Sequence, residues 1–576
     1  MESTHHLHGD SEAGVLSKSC VRRGGWITFF FVTGTFAGST IAASGWSANL
    51  IVYLMSEFNV NSIDAAQISN IVNGCISLFP VIGAIIADSL GCFSVIATSL
   101  CISSLGIFLL CLNTIFSNLR PPPCQIGSAL CEGASGVQLA ILYSGIALGS
   151  LGIGGTRFTT ATMGANQLDS PREQDIFFNW YFFTMYAASI VSATVIVYIQ
   201  DSVSWAWGFG ICLISNTVGL AIFLLGKRFY RSRKPEGSPF VSLARVVVAA
   251  FHKRKEFLSS KIEDYYTGET QSKPHAWPTE NLRFLNCAAL KTEGDFGLDG
   301  LVAKPWRLCS VQQLEDFKSV IRILPLWSTS ILLAAPIVVL YAMVVLQALV
   351  MDRQLGPHFK IPPASIIVIV LLSTAIFLSI IDRALFPLWQ KLTGHLPTPF
   401  QRIGTGHVFN VISMAISALV EARRLKIARA HHLQDQPGAI VPMLSLWLFP
   451  QLAAVGIGEA FHFPGQVALY YQEFPASLKN TATAMVAMVI GVSYYVGTVL
   501  IDLVRKNSSW LPDNINAGRL DNVYWLLVVL GVLNFGCFLV SAKLYERKKP
   551  VADYPNIQKE ASDNYENSTK VFINNK

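Results

Sequence analysis

Twelve stretches of apolar residues constrain this chain more than any other feature. A spanning helix needs about 20 mostly apolar residues. Runs of that kind lie near Ile27–Met55, Ala65–Leu90, Cys92–Phe116, Val137–Thr160, Phe177–Ile199 and Trp205–Leu225. A second set lies near Val320–Leu346, Ala364–Phe386, Ile403–Val420, Ile440–Pro464, Ala482–Leu503 and Val523–Ala542. Only 14% of the 576 residues are charged, against roughly 25% in soluble proteins, so these runs are not the buried core of a water-soluble domain. A secreted enzyme, a nucleic-acid binder and a disordered scaffold are all excluded. The chain reads as an all-α membrane protein with twelve transmembrane helices.

The runs divide six and six around a polar linker, residues 227–318, that holds Arg228, Arg231, Arg233, Lys234, Arg245, Lys253, Arg254 and Lys255. Lys/Arg bias close to span ends marks the cytosolic side, and an even number of spans then puts both termini there too. Much of the formal charge of +7 is therefore topology and not a surface for acidic partners. The expected organisation is a cytosolic tail over 1–26, a six-helix bundle over 27–226, the linker over 227–318, a second six-helix bundle over 319–545 and a cytosolic tail over 546–576. Ile85-Ile86-Ala87-Asp88 at the end of span two is echoed by Ile380-Ile381-Asp382-Arg383 at the end of span eight. Paired six-helix halves with such an internal echo predict the major facilitator fold.

Chemistry-bearing motifs of enzymes do not occur. There is no nucleophile elbow, phosphate loop or metal-ligand spacing, and Gly152-Ile153-Gly154-Gly155 lies inside a span, not between a strand and a helix. No cofactor is expected, and no nucleic acid. Cys124 and Cys131 fall in the loop after span three, which the topology places outside, where a disulfide between them is possible.

Many fragments, in order from Gly24 to about Val540, carry a resemblance. They include Ala48-Asn49-Leu50, Asn179-Trp180-Tyr181, Leu324-Pro325-Leu326-Trp327, Met351-Asp352-Arg353, Ile361-Pro362-Pro363-Ala364-Ser365, Val420-Glu421, Gly458-Glu459, Trp510-Leu511-Pro512 and Asn516-Ala517-Gly518-Arg519-Leu520-Asp521. The chain resembles the plant nitrate transporter 1/peptide transporter family, the plant arm of the proton-dependent oligopeptide transporters. Gly45-Trp46 and the segment Ala65 to Gly74 are similar to its nitrate excretion branch.

Where the chain departs from that pattern is informative. Proton-coupled members carry E-x-x-E-R-F in span one, and by the resemblance those charged positions fall on Phe36, Ser39 and Thr40. The acids that take up the driving proton are absent. The position of a nitrate-binding histidine in span seven falls on Ile337. In span four, Gly152-Ile153-Gly154-Gly155-Thr156-Arg157 is similar to a segment whose lysine faces the central cavity, and Arg157 stands in its place. Glu459 matches the acid of span ten. Ionisable residues within spans are functional candidates by default, and the resemblance implies that Arg157 and Glu459 meet the substrate.

Without span-one acids, the span-four cation has at most one acid to balance it, and an arriving anion would supply the missing charge. Nitrate or chloride fits this reading. A zwitterionic peptide fits less well, because its amino terminus lacks an acidic contact in span one. A monovalent anion leaving a cell gains about 2.3 kcal/mol per 100 mV, so a carrier without proton coupling runs outward. The expected function is efflux or facilitated transport of a small inorganic anion by alternating access in the lipid bilayer. The expected site is the plasma membrane, with the tonoplast as alternative, and protons are a doubtful partner. A carrier of a larger anionic plant metabolite, such as a glucosinolate or hormone conjugate, or of a peptide stays open, as does a non-transporting receptor or sensor.

Overall fold

The computed structural model describes residues 24–123, 133–231, 239–268, 278–297, 302–474 and 482–547. Cys124 and Cys131 lie outside the described residues. Among the described residues sixteen α-helices follow in order: α1 (Ile27–Ala48), α2 (Leu50–Glu57), α3 (Ser62–Leu90), α4 (Cys92–Ile115), α5 (Gly136–Ala165), α6 (Pro171–Val191), α7 (Val197–Ser202) and α8 (Trp205–Leu225) precede the linker. Within the linker lies α9 (Pro239–His252), and after it come α10 (Val311–Leu349), α11 (Val368–Ile380), α12 (Phe386–Thr393), α13 (Pro399–Ala430), α14 (Phe449–Glu473), α15 (Ala482–Asn507) and α16 (Leu520–Arg547). Eleven helical segments among the described residues are long and apolar enough to cross a membrane. The remaining long helix, α14, has 25 residues, about 38 Å at 1.5 Å per residue. Its hydropathy is lowered by Gln451, Glu459, His462 and Gln466, three of which are almost fully buried. The molecule is an all-α membrane protein of the major facilitator type.

Local signals set the helix ends. Ser135 with Gln138, Ser310 with Gln313, and Thr398 with Gln401 each form a reciprocal capping box at the start of α5, α10 and α13, satisfying amide groups that a helix start leaves unpaired. The box at Ser310 starts α10 inside the stretch assigned to the linker by polarity alone. Span eight likewise continues beyond Arg383: a π-helical turn, Ile381–Leu385, leads directly into α12, which ends at Gly394 in the left-handed region (φ 79°). A second π turn, Ser192–Ile196, joins α6 to α7. Each is one extra residue's worth of bulge in an otherwise continuous helix, a feature common near functional surfaces. Two short parallel strands, Met351–Asp352 and Val441–Leu444, tie the end of α10 to the approach of α14.

The glycines of α5 allow the closest helix approaches in the first half. A Cβ on Gly152 would lie 2.4–2.6 Å from the backbone and Cβ of Ser103 in α4, and one on Gly106 would lie 2.4 Å from the Gly149 amide. Small residues at helix interfaces are how membrane helices pack tightly without a hydrophobic drive between them. Gly152→Leu is therefore expected to lower the melting temperature of the detergent-solubilised protein markedly, since overpacking costs about 1–3 kcal/mol or more. Gly210→Leu, where a Cβ meets nothing within 4 Å, should leave it nearly unchanged.

The described parts of the linker are folded. Helix α9 packs on a 3₁₀ turn, Arg283–Ala289, and on the start of α10 through Val246, Ala249, Leu285, Ala288 and Leu314. Buried Lys253 donates to Asp295 at 2.6 Å and to the Leu290 carbonyl. Burial alone would raise the Asp295 carboxyl, but the bonds from Lys253 and Thr292 outweigh it and hold the group below its ordinary range.

Candidate transport site

At the end of the molecule away from the linker, the two halves are joined. Arg505 of α15 pairs with Asp64 of α3 and, at 3.2 Å, with Asp513. Gln67 donates to Asp502 at 2.9 Å, and Ser62 donates to the Asp513 carbonyl at 2.8 Å. Arg353, after α10, lies 3.7 Å from Asp201 at the end of α7. Further along α3 and α15, Cys75 and Tyr495 meet at 3.1 Å.

Arg157 sits on the linker-proximal half of α5, eight residues before its end, about 12 Å into the helix. Its side chain is exposed. Beside it, Tyr181 of α6 donates to the Arg157 backbone carbonyl at 2.6 Å and stacks on Phe36 of α1, with ring centroids 3.9 Å apart. Aromatic packing thus fills the first of the three positions assigned to the missing charges. Ser39 donates to the Phe36 carbonyl within its own helix, and Thr40 is half-buried. None of the three is ionisable.

Glu459 of α14 is half-buried, and its Oε1 accepts from the Tyr341 hydroxyl of α10 at 2.8 Å. The carboxylate is thus held by a neutral donor from its own half. Arg157 and Glu459 are not brought into an ion pair, yet Tyr186 of α6 and Tyr494 of α15 each lie within electrostatic reach of both. The two phenols thus stand near both the cation of the first half and the acid of the second.

Behind Glu459 lies a cavity of ≈ 10 Å³, room for about one water, lined by Ile337, Asn410, Glu459 and His462 among others. Neither ring nitrogen of His462 and not the Asn410 Oδ1 has a partner in hydrogen-bond geometry, and the His407 ring lies 6.0 Å from that of His462. Ile337 lines this small cavity together with Glu459. Tyr341, Tyr186, Tyr494, His407 and Asn410 were not singled out by sequence: a tyrosine or asparagine inside a span has the same signature whether it packs or points at a ligand. Trp46 is a packing residue, 1% exposed against Gly149.

Residues 93–517 match the family described as PTR2: POT family. The chain belongs to the POT family. Two Arabidopsis thaliana relatives, Protein NRT1/ PTR FAMILY 2.7 and Protein NRT1/ PTR FAMILY 2.6, are 53% and 52% identical to this POT-family chain, covering 93% of it and 96% of their own length. Among solved structures it is similar to an auto-inhibited POT family peptide transporter (TM-score 0.67, 16% identity, 92% of this chain and 98% of that one). The POT family transporter PepTSo has a TM-score of 0.63 at 16% identity, covering 91% of this chain and 99% of its own. This POT-family chain is accordingly a membrane transporter of the NRT1/PTR family, with the fold of that family, and not an enzyme.

Proposed function

We propose that this transporter moves a small monovalent anion, nitrate or chloride, outward across the plasma membrane, with Arg157 as the group the anion meets. The observation that carries the reading is an exposed guanidinium whose candidate counter-charge, Glu459, is already engaged by Tyr341. An unbalanced cation on the path favours a negative substrate, because the charge-assisted contact forms without first breaking an internal pair. The joined end and the exposed Arg157 correspond to one of the two states of an alternating-access cycle. The linker's basic residues favour a cytosolic side for it and for both termini. At roughly 150 mV inside-negative, outward movement of a monovalent anion is favoured several hundredfold at equal concentrations.

A competition flux assay in voltage-clamped oocytes with nitrate, chloride and a bulky organic anion tests the substrate. Nitrate or chloride should carry outward charge and compete with each other. Flux of the organic anion alone would transfer the site to a larger metabolite, and absence of any flux from protein at the surface would favour a receptor.

Coupling has its own expected result. With Phe36, Ser39 and Thr40 in place of the two acids and the arginine, flux should follow voltage and the anion gradient, and change little between external pH of roughly 5.5 and 7.5. Proton cotransport with a steep pH dependence would sink the uncoupled reading and make Glu459 or His462 the candidate proton carrier.

A further inference from the structure

A groove of ≈ 430 Å³ lies between the two halves, toward the end where they are joined. One wall is the π turn before α7 and α7 itself, through Thr194, Val195 and Tyr198; the other includes Leu355, Phe359 and Ser365. Tyr198 and Phe359 stack across it at 5.9 Å. Val195, Tyr198, Leu355 and Phe359 are all exposed, so the groove presents an apolar surface of a size typical of ligand sites. Thr194 spends its hydroxyl on the Ile190 carbonyl. The Ser365 hydroxyl, by contrast, is buried without a partner.

The rim is charged and unbalanced. Arg353 donates to the carbonyl of Ile361, a lining residue, at 3.2 Å, and Lys360 stands between lining residues Phe359 and Ile361, exposed. Asp201 feels both cations and lies 3.7 Å from Arg353. Two cations thus share one acid, and the Arg353 Nε has no hydrogen-bond partner. A long apolar trough with a surplus positive charge at its mouth, in a chain immersed in bilayer, has the chemistry of an acyl chain joined to a phosphate.

We propose that the groove is a phospholipid site, with one acyl chain lying between the π turn and the Leu355–Ser365 segment and the headgroup phosphate on Lys360 and Arg353. Because one wall belongs to each half, a bound lipid bridges them in the joined state and is expelled when this end opens. The site is separate from the anion path and does not depend on which anion is carried.

The full-length protein, delipidated in detergent, is titrated with dioleoyl phosphatidylglycerol, with dioleoylglycerol, which has the same chains and no phosphate, and with glycerol phosphate. Bound lipid is read by native mass spectrometry. Phosphatidylglycerol should bind in preference to both others. Val195→Trp and Leu355→Trp, which fill the groove from opposite walls, should each abolish that preference, and Lys360→Gln should weaken phosphatidylglycerol binding by about fivefold. Equal binding of dioleoylglycerol would overturn the phosphate assignment, and unchanged binding in either folded tryptophan variant would overturn the groove. Leu355 is exposed on a loop, so that variant keeps the test intact if Val195→Trp does not fold.

Discussion

Arg157→Ala should abolish anion flux, or cut it by at least roughly tenfold, with the protein folded and at the membrane; a hydrogen bond to a charged group contributes about 1.5–3 kcal/mol. The geometry makes the second half of that expectation specific. The guanidinium is not bonded to Glu459, whose carboxylate is held by Tyr341 at 2.8 Å, so its removal strands no buried acid. Tyr181 bonds the Arg157 backbone carbonyl, a contact that survives any side-chain change. Surface abundance should therefore match wild type. Arg157→Lys should keep part of the flux, because charge persists without the planar donor fork. The alternative is a purely structural arginine that balances Glu459 across the cleft. In that case Arg157→Ala lowers abundance, and adding Glu459→Gln restores both abundance and flux. Flux per surface molecule in the single and double variants decides between them: recovery in the double variant removes Arg157 from the substrate path, and loss in both leaves it there.

The same two residues show what a sequence of this kind exposes and what it conceals. Arg157 and Glu459 stand out because an ionisable group in an apolar run is costly and rare, and the structure gives both one electrostatic neighbourhood. The phenols that share it, Tyr186, Tyr341 and Tyr494, carry no such cost. Only the tertiary arrangement of α6, α10 and α15 around α5 and α14 separates them from packing residues. Periodicity and length made the spans legible, yet α14 is also where hydropathy is weakest, because Gln451, His462 and Gln466 are buried there among other helices and not exposed to lipid. Polarity drew the linker through to Lys318, whereas the capping box at Ser310 starts α10 earlier. An amphipathic helix leaving the membrane is polar by composition and helical by its cap, and composition alone reads only the first property.

Several of the fragments that carry the family resemblance belong to one buried polar network, and this leads to the second large effect. Arg424→Ala should sharply reduce folded protein, by about 3–5 kcal/mol of stability, the cost of leaving a buried charge unpaired. Glu421 and Arg424 of α13 are both fully buried, and the guanidinium grips the carboxylate through two bonds of 2.7 and 2.8 Å. Around them, Gln347 of α10 donates to Glu421 at 2.7 Å, Tyr524 of α16 donates to Gln347 at 3.1 Å, and Arg424 donates to Asn516 at 2.5 Å and to the Ile515 carbonyl at 3.2 Å. Three helices and the loop before α16 thus close on one ion pair. Val420-Glu421 and the Asn516–Asp521 fragment are parts of this single network, and Trp510-Leu511-Pro512 joins it through the Trp510 carbonyl, which accepts from the Arg519 amide at 2.9 Å. Membrane-embedded networks of this kind are all or nothing, since a half-satisfied one is worse than an apolar core. Glu421→Ala should therefore be as damaging as Arg424→Ala, whereas Glu421→Leu with Arg424→Leu should recover a substantial part of the loss. Surviving monodisperse protein after detergent extraction, followed over a temperature ramp, measures each variant. If both single variants extract and melt like wild type, the pair is not what holds α10, α13 and α16 together. If the singles fail and the double variant recovers, the fragment owes its form to burial of matched charge and has no part in recognising the anion.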